Sequence, residues 1–233
     1  MRRALYVTWI YVVIGFWTVA VFPSSLLVTL ITGSHRIGHR LHARLWGRAI
    51  LATCGVRLRV HGLEALDPRS PYVFMINHNS HFAGYAVAAG IPMQWRAVLG
   101  MKLRKIPVFG WIGALAGHIF VETRNTPAAI ETMNRAAKKI RSGLAVLVFP
   151  EGAHHDDGAL LRFKSGGFHL AVHAQVPLVP LTAVEHRRGV RVRVLDLYVD
   201  PPIPTAGSTP EDVPRFVERV RQAMMRHLNT PEL

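Results

Sequence analysis

The sequence predicts an α/β domain with a mostly parallel or mixed central sheet flanked by helices, preceded by an N-terminal membrane-anchoring helical segment. Three observations predict it. Short apolar runs recur after Val56, with longer stretches of helical spacing between them, the alternation of a sheet buried on both faces. From Ala4 to His35 the chain has no Asp, Glu, Lys or Arg, and about 20 apolar residues suffice to cross a bilayer. Half of the 233 residues are hydrophobic and mean hydropathy is slightly positive, more apolar than a purely soluble domain. Residues 1–55 are therefore expected to form anchor and interfacial helices, and 56–233 the α/β domain.

The charge-free run is too long for the core of a cleaved signal peptide, and it has no evident small-residue cleavage site. Pro23-Ser24-Ser25 interrupts it, which predicts a break there. The run is then either one kinked span or two shorter helices dipped as a hairpin into one leaflet. Arg2 and Arg3 precede it, and Arg36 and Arg40 follow it. Basic flanks favour the cytoplasmic side, so the hairpin is the preferred reading, at the cell membrane with the α/β domain on the cytoplasmic face. In "SHRIGHRLHARLWGRAIL" arginines recur at 36, 40, 44 and 48 beside Ile37, Leu41 and Leu45. That pattern suits a helix lying in a membrane interface, although a solvated basic face on a surface helix shows it too.

The formal charge of +14 points to an anionic partner. Anionic membrane lipids fit it. Nucleic acid does not, since no known binding module is present and a hydrophobic anchor would serve no purpose there. Cys54, the single cysteine, cannot form an intramolecular disulfide, which suits a reducing compartment. Its apolar neighbours make it a core residue.

In the α/β region, strands are predicted at Val56–Val60, Tyr72–Ile76, Arg96–Leu99, His118–Val121, Ala145–Phe149, Leu178–Ala183 and Val190–Tyr198, and helices at Pro127–Arg141, Gly166–Ala174 and Pro210–Leu228. Parallel sheets present their chemistry at the carboxyl ends of strands. Asn77-His78 follows one strand and Pro150-Glu151-Gly152 another, so both are expected to open into one crevice.

Four blocks in order carry a family resemblance: "NHNSHFAGY" from Asn77, "GHIFVETRN" from Gly117, "VFPEG" from Val148 and "VPLVPL" from Val176. They resemble the motifs of the glycerolipid acyltransferases, above all the bacterial lysophosphatidic acid acyltransferases, over roughly Val56–Pro204. The resemblance implies transfer of a fatty acyl chain from acyl-CoA or acyl carrier protein to the free hydroxyl of a lysophospholipid acceptor, lysophosphatidic acid first, without cofactor or metal. It implies His78 as general base and substrate contacts from Asn77, Phe149, Pro150, Glu151 and Gly152.

The chemistry agrees with this. An alcohol attacking a thioester must lose its proton, and an imidazole takes it near neutral pH. A carboxylate on the other ring nitrogen fixes the tautomer. A lone histidine is more often a satisfied core or loop residue; here Asn-His together with Phe-Pro-Glu-Gly reverses that ordering. Glu151 can accept from a substrate hydroxyl, or simply cap a turn. Lys102, Arg124, Arg162 and Lys164 are candidates for phosphate or CoA contacts, and singly each is as well read as a solvated charge. His154, His155, Asp156 and Asp157 are adjacent in a Gly-ended loop and are not expected to converge on a metal ion.

The sequence departs from the family at three places. Ala83 stands where the family has its Asp, Thr123 stands where Arg is usual with Arg124 one residue on, and Ala153-His154 replaces Thr-Arg. Ala83 is read first as an introduced Asp→Ala change. A natural loss in a non-catalytic lipid-binding relative, or orientation of His78 by Glu151 or a backbone carbonyl, are the alternatives. The altered blocks also leave another acceptor open, such as a lyso-ornithine lipid or a glycolipid.

Overall fold

The computed structural model describes residues 2–33, 35–106, 109–121, 132, 135–138, 140–141, 143–155 and 159–229, without the side chains of 25, 26, 29, 35–41 and 109. These residues form a seven-stranded sheet in the order β1-β7-β6-β2-β5-β3-β4. The strands are β1 Arg57–His61, β2 Val73–Ile76, β3 Trp95–Gly100, β4 Ile119–Val121, β5 Ala145–Val148, β6 Leu178–Arg188 and β7 Arg191–Val199. Every neighbouring pair is parallel except β6 with β7, an antiparallel hairpin. The sheet is thus mixed, and all seven predicted strands are present.

The strand sequences explain their places. Val73–Ile76 and Ala145–Val148 are buried at every residue because β2 and β5 lie inside the sheet with both faces covered. Edge strand β1 alternates Arg57, Arg59 and His61 outward with Leu58 and Val60 inward, the period of a half-buried strand.

The helices are α1 Arg2–Thr32, α2 His35–Thr53, α3 Ala83–Gly90, α4 Met101–Arg104, α5 Phe109–Leu115, α6 Gly166–Ala174 and α7 Val213–Leu228. Helix α7 buries Val213, Phe216, Val220, Ala223 and Met224, spaced three and four apart, so one stripe faces the sheet. A capping box between Thr209 and Asp212, with Pro210 in the first turn, starts the short 3₁₀ turn leading into it. The predicted helix at Pro127–Arg141 lies largely outside the described residues; its described part buries Ala136, Ala137 and Ile140.

The N-terminal segment corrects one expectation. Helix α1 continues through Pro23 rather than breaking there, and the helical hairpin is made by α1 and α2, turned at Gly33. Proline removes one rung of the helix, and polar side chains gather at that turn: the Ser24 hydroxyl donates to the Val21 carbonyl at 2.9 Å, and the His42 ring Nε2 lies 2.5 Å from the same oxygen. The carbonyl that Pro23 leaves without its helical donor is that of Val19, so these bonds brace the adjoining turn and tie it to α2.

The hairpin is packed onto the domain. Ile10 and Val13 join the core that contains Phe74, Ala83 and Leu147, Trp17 Nε1 donates to Thr53 Oγ1 at 2.9 Å, and Trp46 Nε1 donates to Thr18 Oγ1 at 3.1 Å. At Gly47 a Cβ would lie 2.6 Å from the Tyr85 carbonyl oxygen, so glycine lets α2 approach the α3 backbone. Among the described residues, one helical stretch, Arg2–Ser24, is long and apolar enough to cross a membrane.

Candidate active site

Strand β2 ends at Ile76, and the next two residues turn into the site. Asn77 is fully buried and ties β2 to β6: its Nδ2 donates to the Ala183 carbonyl at 3.0 Å, and its Oδ1 accepts from the Ala183 N–H at 2.8 Å. The amide therefore continues the ladder one step past the strand and fixes where His78 leaves it. The Ser80 hydroxyl donates to Glu185 Oε1 at 2.5 Å and accepts from the Phe82 N–H at 2.9 Å, which turns the chain into α3.

Three strands further along the chain but adjacent in the sheet, β5 delivers Phe149, Pro150, Glu151 and Gly152. The Phe149 ring centroid lies 4.2 Å from that of His78. Glu151 is 4% exposed. Its Oε1 accepts from the His78 backbone N–H at 2.6 Å, and its Oε2 accepts from the Leu161 N–H at 2.8 Å and pairs with the His155 ring. The His155 N–H donates back to the His78 carbonyl at 3.2 Å. Glu151 therefore holds the frame around His78, and a substrate hydroxyl would have to displace one of these donors to reach it. Gly152 adopts φ +71°, a left-handed backbone that favours glycine; a Cβ there would meet Lys164 Nζ at 2.6 Å, a contact the exposed lysine relieves by moving.

The His78 ring is oriented by packing. His154 stands edge-on to it with centroids 5.4 Å apart, and His154 stacks on His81 at 4.1 Å. Among the described residues, His78 Nδ1 is buried with no hydrogen-bond partner. Burial pushes the His78 pKa down to about 4, with smaller contributions from His154, His155 and His81. Ala83 is fully buried in the first turn of α3 and brings no polar group. Glu151 meets the backbone of His78, so neither it nor a described backbone carbonyl orients the ring.

His78 faces a cleft of about 2250 Å³. Its walls come from α1 and α2 (Tyr11, Thr18, Trp46), from β3 and α5, and from Phe149; Arg162 and Lys164 lie at the same opening, both exposed. Lys102 is exposed on α4 and is not among the lining residues. Arg124, Thr123, Asp156 and Asp157 lie outside the described residues. No group of three or more potential metal ligands occurs among the described residues.

Sequence reasoning did not single out His81 or His154 as neighbours of His78, nor the anchor helices as cleft walls. The first two were visible only as members of known motifs. The third has no local signal, because Trp46 packs on Tyr85 at 4.9 Å across a long stretch of chain.

Comparison with known proteins agrees with this geometry. A family model described as Acyltransferase matches residues 57–184. Human 1-acyl-sn-glycerol-3-phosphate acyltransferase alpha is 35% identical over 179 residues, covering 73% of this chain and 63% of the human protein. The chain thus spans less than two thirds of that relative's length. The 1-acyl-sn-glycerol-3-phosphate acyltransferase of Limnanthes douglasii is 30% identical over 201 residues, covering 83% of this chain and 70% of that one. The crystal structure of the 1-acyl-sn-glycerophosphate (LPA) acyltransferase PlsC from Thermotoga maritima superposes with a TM-score of 0.78 over 100% of this chain and 98% of that one, at 20% identity, a likeness of fold. With the Asn77-His78 and Phe149–Gly152 blocks brought together at adjacent strand ends, and the family model spanning both, this chain belongs to the acyltransferase family.

Proposed function

We propose that the protein transfers a fatty acyl chain from acyl-CoA or acyl carrier protein to the free hydroxyl of a lysophospholipid. Lysophosphatidic acid is the acceptor and phosphatidic acid the product. The reaction takes place at the cell membrane, with the catalytic domain on the cytoplasmic face. The observation that carries this reading is the placement of His78 at the end of β2, at the wall of a large cleft whose sides are mainly apolar. The names of the human and Limnanthes relatives support the choice of acceptor.

The buried Nδ1 leaves Nε2 as the nitrogen that meets the acceptor. As the acceptor oxygen bonds to the thioester carbonyl carbon, its proton passes to Nε2. The tetrahedral centre then collapses, the C–S bond breaks, and the thiolate leaves with the proton returned from the imidazolium. Positioning both substrates in one cleft supplies much of the rate. Arg162 and Lys164 at the opening, with Arg124, are assigned to the acceptor phosphate or the CoA phosphates. Asn77, Phe149, Pro150, Glu151 and Gly152 set the shape of the site.

Ala83 makes this chain a slow enzyme. Nothing among the described residues accepts from Nδ1, so the tautomer with the proton on Nδ1 and a free Nε2 has no support. The same observation favours one second reading, a lipid-binding relative that does not turn over. The two separate on incubation of the purified protein with labelled acyl-CoA and lysophosphatidic acid, lyso-ornithine lipid or lysoglycolipid in turn. Slow labelling of phosphatidic acid that disappears in His78→Ala supports the proposal. Binding without labelled product, in this chain and in Ala83→Asp alike, supports the non-catalytic reading.

A further inference from the structure

The first turns of α1 lie against the β6–β7 hairpin. The Val192 N–H donates to Tyr6 Oη at 3.2 Å, and Arg3, Tyr6 and Val7 share a shallow depression with Arg187, Val190 and Val192. This brings two separate runs of arginine to one end of α1. Arg2 and Arg3 come from the helix; Arg187, Arg188, Arg191 and Arg193 come from the hairpin, and all six are exposed. The acidic residue beside them, Glu185, is engaged by Ser80 and by Arg187 Nε at 2.8 Å, so a large positive excess remains.

The charge-free run of α1 begins directly after Arg3. Along it Leu5, Trp9, Val12, Phe16 and Val19 are all about half exposed or more. Their spacing of four, three, four and three residues places them on one face. A cationic collar at one end of an uncovered apolar stripe carrying a tryptophan is the chemistry of a bilayer interface, with aromatic and apolar side chains among the acyl chains and arginines at phosphate level.

We infer that the β6–β7 hairpin, with the N-terminus of α1, forms a docking site for anionic phospholipid headgroups. The site sets how the cleft is presented to the membrane. The occupant is a bilayer of anionic lipid. Another copy of this chain would meet like charge, and a nucleic acid would leave the apolar stripe uncovered. The inference rests on the reading that the protein works at a membrane, and assigns the contact to a hairpin outside the anchor helices.

The test is flotation of the full chain with vesicles of phosphatidylcholine alone and with about a third phosphatidylglycerol. Arg188→Gln/Arg191→Gln is compared with the original chain and with Arg215→Gln/Arg219→Gln on α7 as a charge-matched control. The original chain should bind the anionic vesicles more tightly, and the hairpin variant should lose about 10- to 100-fold of that affinity while binding to phosphatidylcholine stays unchanged. The difference should shrink at high salt. An unchanged melting temperature shows that the variant is folded. Equal binding of the hairpin variant and the control to anionic vesicles overturns the inference, as does a hairpin variant that changes only the oligomeric state. Failure of the original chain to bind either vesicle overturns the membrane reading itself, whereas acyl transfer measured in mixed micelles reports on the enzymatic reading separately.

Discussion

On the outer strands of the sheet, Asp196 of β7 sits between two imidazoles, with His61 Nε2 at 2.9 Å and His186 Nε2 at 2.7 Å. His227 reaches Asp200, and His155 pairs with Glu151. At the end of β2, His78 is surrounded by rings and has no carboxylate on its buried nitrogen. The first arrangement comes from sheet register: β1 and β6 both flank β7, and their histidines reach the carboxylate from either side. The second depends on one residue in the opening turn of α3, and that residue is alanine. The histidines tied to carboxylates are part of the frame. On the proposed function His78 is the histidine that does chemistry, and on that reading alanine at residue 83 stands where a carboxylate would orient it.

Supplying that carboxylate should produce the largest effect. Ala83→Asp should raise turnover by up to about ten-thousand-fold, the scale on which a triad responds to its carboxylate. Apparent substrate affinity should change far less, because the carboxylate acts as charge develops on His78. His78→Ala in the same background should remove the gain, as single-turnover measurements with labelled donor would show. Turnover unaltered by Ala83→Asp would mean that His78 is oriented by something other than residue 83.

Removing a carboxylate from the frame should affect stability first. Glu151→Ala leaves the His78 and Leu161 N–H groups without their acceptor, at a cost of about 3 kcal/mol, read as a fall in the denaturant midpoint. Glu151→Gln keeps one acceptor oxygen and should cost less. Asp196→Asn should cost about 1–2 kcal/mol and leave the rate in the Ala83→Asp background unchanged, since β7 lies away from the cleft. A rate that falls with Asp196→Asn would erase the distinction between frame and site.

The two kinds of group also titrate differently. Burial makes folded His78 bind its proton less tightly than the unfolded chain does, and His118 is likewise held down to about 4 by burial and then by Arg96. Protonation there favours unfolding, so stability should decline as pH falls from about 6.5, the unfolded histidine value, toward 4. For Asp196, burial raises the pKa, and the hydrogen bonds from His61 and His186 more than reverse this. Its contribution is complete above the unfolded carboxylate value of about 3.9 and is lost as pH drops through the lower folded value. Denaturation curves at successive pH values should show two windows, and His118→Asn should reduce only the upper one.

Much of this was legible in the sequence. The seven strands were readable because Val73–Ile76, Ala145–Val148 and their neighbours are apolar at consecutive positions, which a doubly covered sheet demands. The meeting of Asn77-His78 with Phe149–Gly152 followed from both blocks standing at strand ends. Helix α1 runs on through Pro23 against the sequence expectation because that turn packs on α2, where His42, 19 residues further along the chain, reaches the Val21 carbonyl. The engagement of Glu151 by Leu161, and of Asn77 by Ala183, depends on contacts that no local pattern encodes. The collar of arginines was hidden for the same reason, with two of its members at residues 2 and 3 and four between 187 and 193.

The most direct test of the central claim is the titration of His78 itself, followed by the ring ¹⁵N signals of the labelled protein, with His78→Gln used to assign them. In this chain the ring should remain neutral until pH is near 4 and show a mixture of tautomers, because Nδ1 has no partner among the described residues. In Ala83→Asp the ring should move to the single Nδ1–H tautomer and its pKa should rise, since a carboxylate beside it favours the charged form. A single Nδ1–H tautomer already present in the alanine chain, with a pKa that Ala83→Asp does not move, would contradict the account.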